Sequence, residues 1–156
     1  MKFTHVIIIN DPLNPLANLI TTEQLWRGLV LRAEQPMLFV AHLDACHILE
    51  KFPHLIKREL RYGKVTIHDI VSFLPQLQVR YQVPQQQDLG GSSMTMTIEQ
   101  PQPEVLYIRF TYEDDIEEGP DSSEAFYNEY RRSAYLESDI DTVRLIREFA
   151  AMGRLG

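Results

Sequence analysis

The sequence is poor in the features that mark export, disulfide bonding and nucleic-acid binding. Its single cysteine, Cys46, excludes an intramolecular disulfide and fits a reducing compartment. The apolar run near its start, residues 6–9, is too short for a signal-peptide core or a membrane span. The 15 Lys and Arg residues stand against 22 Asp and Glu, so the chain lacks the basic excess of a nucleic-acid binder. We therefore expect a cytoplasmic protein that binds neither membranes nor nucleic acids.

Motifs for metals and nucleotides are also missing. The histidines are scattered, without the His-x-x-x-His spacing of a metal site. The acidic run at 113–118 lacks the alternating ligands and internal glycine of a calcium loop, so we expect a solvated loop there. Gly90-Gly91 precedes a predicted strand rather than a helix, which excludes a phosphate loop. The sequence predicts no metal, nucleotide or other cofactor.

The first third of the chain predicts one strand and two helices. A length of 156 residues with 44% hydrophobic residues indicates one globular domain over residues 1–156. Residues 2–10 are rich in β-branched side chains and predict a strand. Thr21 opens a helix with a Thr-x-x-Gln capping box, and Pro36 ends it. Pro36 is also expected to begin a second, short helix that runs to about His42.

The middle of the chain changes to a period of two. Six strand-like runs lie near 44–51, 54–62, 65–74, 76–83, 92–100 and 104–113, and several of them alternate apolar and polar residues. The breaks between them are short and rich in Pro or Gly, which predicts antiparallel hairpins joined in a meander. One face of this sheet should be dry and the other wet.

The last long segment, residues 121–152, predicts a single helix that covers the dry face. Asp121 and Glu124 have the spacing of a capping box, and Gly153 is the expected C-cap. Such a helix is roughly 45 Å long. It is too long to be stable alone in water, so it must pack against a surface. We expect its aromatic first half to face the sheet across a cavity.

Five short motifs make this pattern more specific: Phe3-Thr4-His5, Leu25-Trp26-Arg27-Gly28-Leu29, Gly90-Gly91-Ser92, Met96-Thr97-Ile98-Glu99-Gln100-Pro101 and Ala134-Tyr135. With the order of the elements, they resemble the SRPBCC superfamily, which includes START domains and polyketide cyclases. In detail they resemble its AtaL-like family, largely of unassigned function. The resemblance implies an α+β helix-grip fold, in which a strand, two short helices and a six-stranded meander form a seven-stranded curved sheet around a long C-terminal helix. It also implies a small hydrophobic ligand and supplies no catalytic residue.

One charged pair has a geometry that follows from the turn chemistry. If Gly63-Lys64 is a two-residue type II′ hairpin loop, Arg58 lies opposite Asp69 on the apolar face. A buried ion pair can hold the sheet in register. Alternatively, Arg58 anchors a ligand carboxylate or carbonyl. The sequence leaves both interpretations open.

The predicted cavity draws on bulky, adaptable side chains from the sheet and both helices. The candidate ligand-binding residues are His5, Trp26, Arg58, Asp69, Tyr81, Met94, Met96, Phe110, Tyr112, Phe126, Tyr130 and Ala134.

Three functions are compatible with these residues. The favoured one is a binding protein for a small apolar or aromatic molecule, acting as a monomer or homodimer. The alternative is a cofactor-free enzyme of the cyclase or dehydratase type, with Arg58–Asp69 or His5 as the acid–base group. A protein-interaction module is the third. An interior polar group that is free of structural partners would favour the enzyme over simple binding.

Overall fold

The computed structural model describes residues 1–14, 18–86, 90–114 and 122–156, except for the side chains of residues 122–125. Within these ranges the chain forms strands, two α-helices and a short 3₁₀ helix at Pro36–Leu38. In chain order the elements are β1 (Lys2–Asn10), α1 (Thr22–Glu34), β2 (Ala45–Lys51), β3 (Leu55–Tyr62), β4 (Val65–Leu74), β5 (Gln78–Val83), β6 (Ser92–Gln102), β7 (Val105–Asp114) and α2 (Ser122–Ala151).

The strands make one seven-stranded antiparallel sheet in the order β1-β7-β6-β5-β4-β3-β2. Strands β2 to β7 form the predicted meander, and β1 joins it beside β7. Helix α2 packs against β1 and α1. The helix-grip α+β fold predicted from the sequence is confirmed. Neither described helix is long and apolar enough to cross a membrane.

The hairpin between β3 and β4 has the predicted register. Gly63 takes a φ of 59°, which an L side chain rarely adopts, and Tyr62 pairs with Val65 across the turn. Arg58 consequently lies opposite Asp69. Because side chains alternate between the two faces of a strand, this register places both charges on the inner face.

Helix α1 begins and packs as its sequence predicts. The Thr21 hydroxyl accepts a hydrogen bond from the Gln24 amide, and the Gln24 side chain accepts one from the Thr21 amide, which completes the capping box. Gly28 marks the closest approach to α2, because a Cβ there would lie 2.9 Å from Cγ1 and Cγ2 of Ile146.

The second helix is shorter than predicted, since the 3₁₀ turn ends at Leu38 rather than near His42. The chain turns here to reach the edge of the sheet, where the Asp44 amide donates to the Arg61 carbonyl.

Helix α2 ends at Gly153, as predicted. Gly153 has a φ of 74°, its amide donates to Ala150, and the Arg154 amide donates to Phe149. These two bonds satisfy the last carbonyls of the helix in a Schellman motif. The predicted Asp121–Glu124 capping box lies outside the described side chains.

The first half of α2 faces the opposite way from the prediction. Phe126 and Tyr130 are 78% and 67% exposed, and Ala134 is exposed on the same outer face. The buried second half fixes the inner face. At 3.6 residues per turn that face continues back through polar Thr142 and Asp139, both buried. The most apolar side of the first half of α2 therefore points outward. The prediction assumed that the most apolar side would face the sheet, and it was wrong for this reason.

Candidate functional site

The inner face of the sheet brings six of the predicted site residues together in two cross-strand rows. One row holds Val71, Tyr81, Met94, Tyr112 and Phe3, each opposite the next on neighbouring strands. The other holds Val79, Met96, Phe110 and His5. Met96 and Phe110 have no exposed surface, so here they are packed core rather than pocket wall.

Arg58 and Asp69 form a buried, bidentate ion pair. The Nε of Arg58 donates to Oδ1 of Asp69 at 2.8 Å, and Nη2 donates to Oδ2 at 2.5 Å. The remaining nitrogen, Nη1, donates to the Ala33 carbonyl in the last turn of α1 at 2.8 Å. Burial disfavours the charged guanidinium, but the hydrogen bond and charge of Asp69 outweigh it, so the pKa of Arg58 lies above its ordinary value. The predicted pairing is confirmed, and every nitrogen of Arg58 has a protein partner.

Tyr81 lies beside this pair, and two cationic groups lie close to its ring. The Cζ atoms of Arg58 and Arg32 lie 5.1 Å and 5.2 Å from the centroid of its ring. The residue is 7% exposed, and its hydroxyl is buried without a hydrogen-bond partner among the described residues. Because buried polar atoms almost always have partners, this hydroxyl needs an explanation.

Arg32 is a site residue that the sequence reasoning missed. It is 8% exposed, and its Nε donates to the Thr142 hydroxyl at 3.2 Å. That hydroxyl in turn donates to the Ser138 carbonyl at 3.1 Å. Among the described residues no carboxylate lies within salt-bridge distance of Arg32. The helical spacing of α1 could have indicated its burial, because position 32 lies seven residues, or about two turns, after Leu25 on the buried face of the helix.

A second polar group joins β1, β7 and α2. Nε2 of His5 lies 2.6 Å from Oδ2 of Asp139, and the Tyr112 hydroxyl donates to the same carboxylate at 2.6 Å and 2.8 Å. Burial raises the pKa of Asp139, although the hydrogen bonds from Tyr112 and His5 oppose that shift. Burial and the charge of Asp139 hold the pKa of Tyr112 well above its usual 10.0. The other nitrogen of His5, Nδ1, is buried without a hydrogen-bond partner among the described residues.

Stacked rings surround this group. Tyr112 stacks on Tyr135 of α2 at 3.9 Å between ring centroids, and His5 lies between Phe3 and Phe110 at 5.3 Å and 5.1 Å. The His5 side chain is 13% exposed beside these rings. The two polar groups, around Arg58 and around Asp139, together form what we call the interior polar cluster. Its seven residues are His5, Arg32, Arg58, Asp69, Tyr81, Tyr112 and Asp139.

Four predicted residues lie outside both the cluster and the two cross-strand rows. Trp26 lines a separate hollow of about 230 Å³ at the surface, where it meets Phe73 edge to face at 6.4 Å. Phe126, Tyr130 and Ala134 lie on the outer face of α2. The structure thus brings the predicted sheet residues together and leaves the predicted helix residues apart from them. Arg32 and Asp139, which the sequence analysis did not select, are charged positions on helix faces that it assigned by apolarity.

Comparison with known families identifies the chain. The family model described as "Acetylaranotin biosynthesis cluster protein L", or AtaL, matches residues 7–153. The protein belongs to the AtaL family. A comparison of this AtaL-family chain with curated proteins gives no match.

Solved structures share the fold of this AtaL-family protein at low sequence identity. The di-domain aromatase/cyclase StfQ from the steffimycin biosynthetic pathway matches 97% of the chain with a TM-score of 0.72 and 14% identity. That match covers 51% of StfQ, so the AtaL-family chain spans about half the length of the di-domain protein. The Zhui aromatase/cyclase from Streptomyces sp. R1128 matches with a TM-score of 0.66, 12% identity, and coverage of 97% and 93% of the two chains. Human STARD10 matches 97% of the chain and 65% of its own, with a TM-score of 0.62 and 12% identity.

Proposed function

We propose that the protein binds a small apolar or aromatic molecule that carries oxygen functions, at the interior polar cluster. The observation that carries this proposal is the buried Tyr81 hydroxyl, which has no hydrogen-bond partner among the described residues. A free interior polar group is expected of an enzyme as well, so this hydroxyl supports the presence of a ligand, and the free Nδ1 of His5 is the group that bears on catalysis. A buried hydroxyl without a partner costs about 1–3 kcal/mol. A ligand oxygen at this position would supply the missing bond.

The surroundings favour an aromatic or apolar body for the ligand. Met94 separates Tyr81 from Tyr112 in their cross-strand row, and its side chain is flexible and polarizable. Neighbouring strands are about 4.8 Å apart, so the two tyrosines are roughly 10 Å apart along the row. This span suits a molecule of two or three fused rings. Aromatase/cyclases among the structural neighbours are compatible with such a ligand.

Binding of naphthol to the wild type and two tyrosine variants tests this proposal. Tyr81→Phe removes only the unpartnered hydroxyl and should weaken naphthol binding by about two- to twelve-fold, the value of one neutral hydrogen bond. Tyr107→Phe is the matched control, because Tyr107 lies on the other face of the sheet, opposite Ile8 and Glu99. Isothermal titration calorimetry gives the three affinities. Equal affinities for all three proteins would contradict the proposed role of Tyr81, and absence of binding to the wild type would contradict the proposed function.

A cofactor-free cyclase or dehydratase is the second candidate, and the geometry of His5 favours it. Tyr112 donates to both oxygens of Asp139, so the carboxylate acts as an acceptor. In the neutral form of His5, Nε2 then carries the proton of the 2.6 Å bond, and Nδ1 keeps a free lone pair. A base held in this way can remove a proton from a carbon next to a carbonyl group.

Deuterium exchange at the central carbon of benzoylacetone, followed by NMR, tests this second candidate. His5→Gln keeps a donor for Asp139 at the Nε2 position but offers no base. Exchange should then fall by about 100-fold or more, since general base catalysis contributes 10²–10⁴-fold. His68→Gln, on the exposed face, is the control. Equal exchange rates for wild type and His5→Gln would exclude His5 as the base and leave the binding proposal intact.

A further inference from the structure

Arg32 carries a charge that the described residues leave without a carboxylate partner. The other buried cation of the cluster, Arg58, is neutralised by Asp69 through two hydrogen bonds. Arg32 instead donates through Nε to a neutral hydroxyl, that of Thr142. Burying a charged group without a counter-charge is costly, and proteins usually pair such groups or place them where they act.

Asp139 is the one buried carboxylate of the cluster besides Asp69, and other residues already occupy it. Its two oxygens take the hydrogen bonds of His5 and Tyr112. The charge of Arg32 also lowers the pKa of Asp139, but less than the hydrogen bonds from Tyr112 and His5 do. Asp139 therefore does not neutralise the guanidinium of Arg32 by contact.

Arg32 also lies against the side chain that carries the unpartnered hydroxyl. The Arg32 guanidinium lies over the ring of Tyr81, 5.2 Å from the centroid, and the Tyr81 hydroxyl lacks a hydrogen-bond partner among the described residues. Both residues are more than nine-tenths buried. A guanidinium offers planar N–H donors that match a carboxylate, and the phenol adds one more donor.

We propose that Arg32 and Tyr81 form an anion subsite, which holds a carboxylate or enolate oxygen of the aromatic ligand. This inference rests on the proposed function and adds the charge of the ligand to it. Arg58 is less suited to hold an anion than Arg32, because Asp69 already neutralises its charge through two hydrogen bonds and its Nη1 donates to the Ala33 carbonyl. In a purely structural role, Arg32 would only tie α1 to α2 through Thr142, and the charge of a ligand would not matter to it.

Two probes of the same shape, naphthoate and naphthamide, separate these roles. The wild type should bind the anionic naphthoate about ten- to a hundred-fold more tightly than the neutral amide, as expected for hydrogen bonds to a charged group. Arg32→Met keeps most of the side-chain stem and should bring this ratio close to one. Arg80→Met is the control, because Arg80 is exposed on the opposite face of the same strand as Tyr81 and its loss should leave the ratio unchanged.

Thermal unfolding of each variant accompanies the titrations. Arg32→Met should be at least as stable as the wild type, since it removes an uncompensated buried charge, whereas a structural role predicts a loss. If Arg32→Met does not fold, Arg32→Lys provides the test, because it keeps the charge without the planar fork and should give an intermediate ratio.

The outcomes distinguish the subsite from the proposed function. A wild type that binds both probes equally, or an Arg32 variant that keeps the wild-type ratio, overturns the anion subsite and leaves binding of aromatic molecules standing. A wild type that binds neither probe overturns the proposed function, and the subsite with it.

Discussion

Two tyrosines of the same cross-strand row should respond oppositely to the loss of their hydroxyl groups. The Tyr112 hydroxyl donates to both oxygens of the fully buried Asp139 carboxylate. The Tyr81 hydroxyl is equally dry and has no partner among the described residues. Replacing each by Phe removes one oxygen from each side chain and leaves its ring in place.

The two effects have different magnitudes as well as different signs. Hydrogen bonds to charged groups contribute about 1.5–3 kcal/mol, so Tyr112→Phe should lower the free energy of unfolding by that amount. Tyr81→Phe removes a desolvated group that gains nothing in return, so stability should stay the same or rise by up to about 1–3 kcal/mol. The Tyr107→Phe control should lie within about 0.5 kcal/mol of the wild type.

Urea unfolding of the ligand-free variants measures these differences as shifts of the transition midpoint at constant slope. The reasoning fails if Tyr81→Phe loses as much stability as Tyr112→Phe. That result would mean that the Tyr81 hydroxyl has a strong partner in solution, and it would remove the main support for ligand binding at this position.

Three further predictions concern packing, the ion pair and pH. Gly28→Ala should destabilise the protein by about 1–3 kcal/mol, because its Cβ overlaps Ile146, and should cost nothing in an Ile146→Ala background, as a double-mutant cycle by urea unfolding would show. Arg58→Met alone should cost about 3–5 kcal/mol, whereas Arg58→Met with Asp69→Leu should recover most of that loss and bind naphthol with unchanged affinity; a tenfold weaker affinity would make the pair a ligand anchor. Above pH 10 the unfolded chain releases the Tyr112 proton while the folded chain retains it, so the stability of the wild type should fall with rising pH more steeply than that of Tyr112→Phe; equal slopes would contradict the raised pKa.

The sheet followed from the sequence because its signals are local. A period of two, broken by Pro and Gly at short intervals, is sufficient to order antiparallel hairpins. The Gly63-Lys64 turn then fixed which residues face each other, and the Arg58–Asp69 pair came directly from that register.

The helix contribution to the site did not follow, because it depends on tertiary packing. Which side of α2 turns inward is set by its aliphatic end and by Ile146 against Gly28, not by the aromatic end. The buried positions of Arg32 and Asp139 carry charges that local patterns assign to solvent. Their burial becomes understandable only beside Tyr81 and Tyr112, which lie far away in the sequence.

The most direct test of the central claim, that a small aromatic molecule occupies the interior of the helix grip, is a methyl NMR titration of methionine-labelled protein with naphthol. Met94 lies between Tyr81 and Tyr112, while Met37 and Met152 are exposed and serve as internal controls. We predict a saturable shift of the Met94 methyl signal, with nuclear Overhauser contacts to the naphthol ring and no shift of the two exposed methyl groups. A Met94 signal that does not move at saturating naphthol, or shifts confined to Met37 and Met152, would contradict the account.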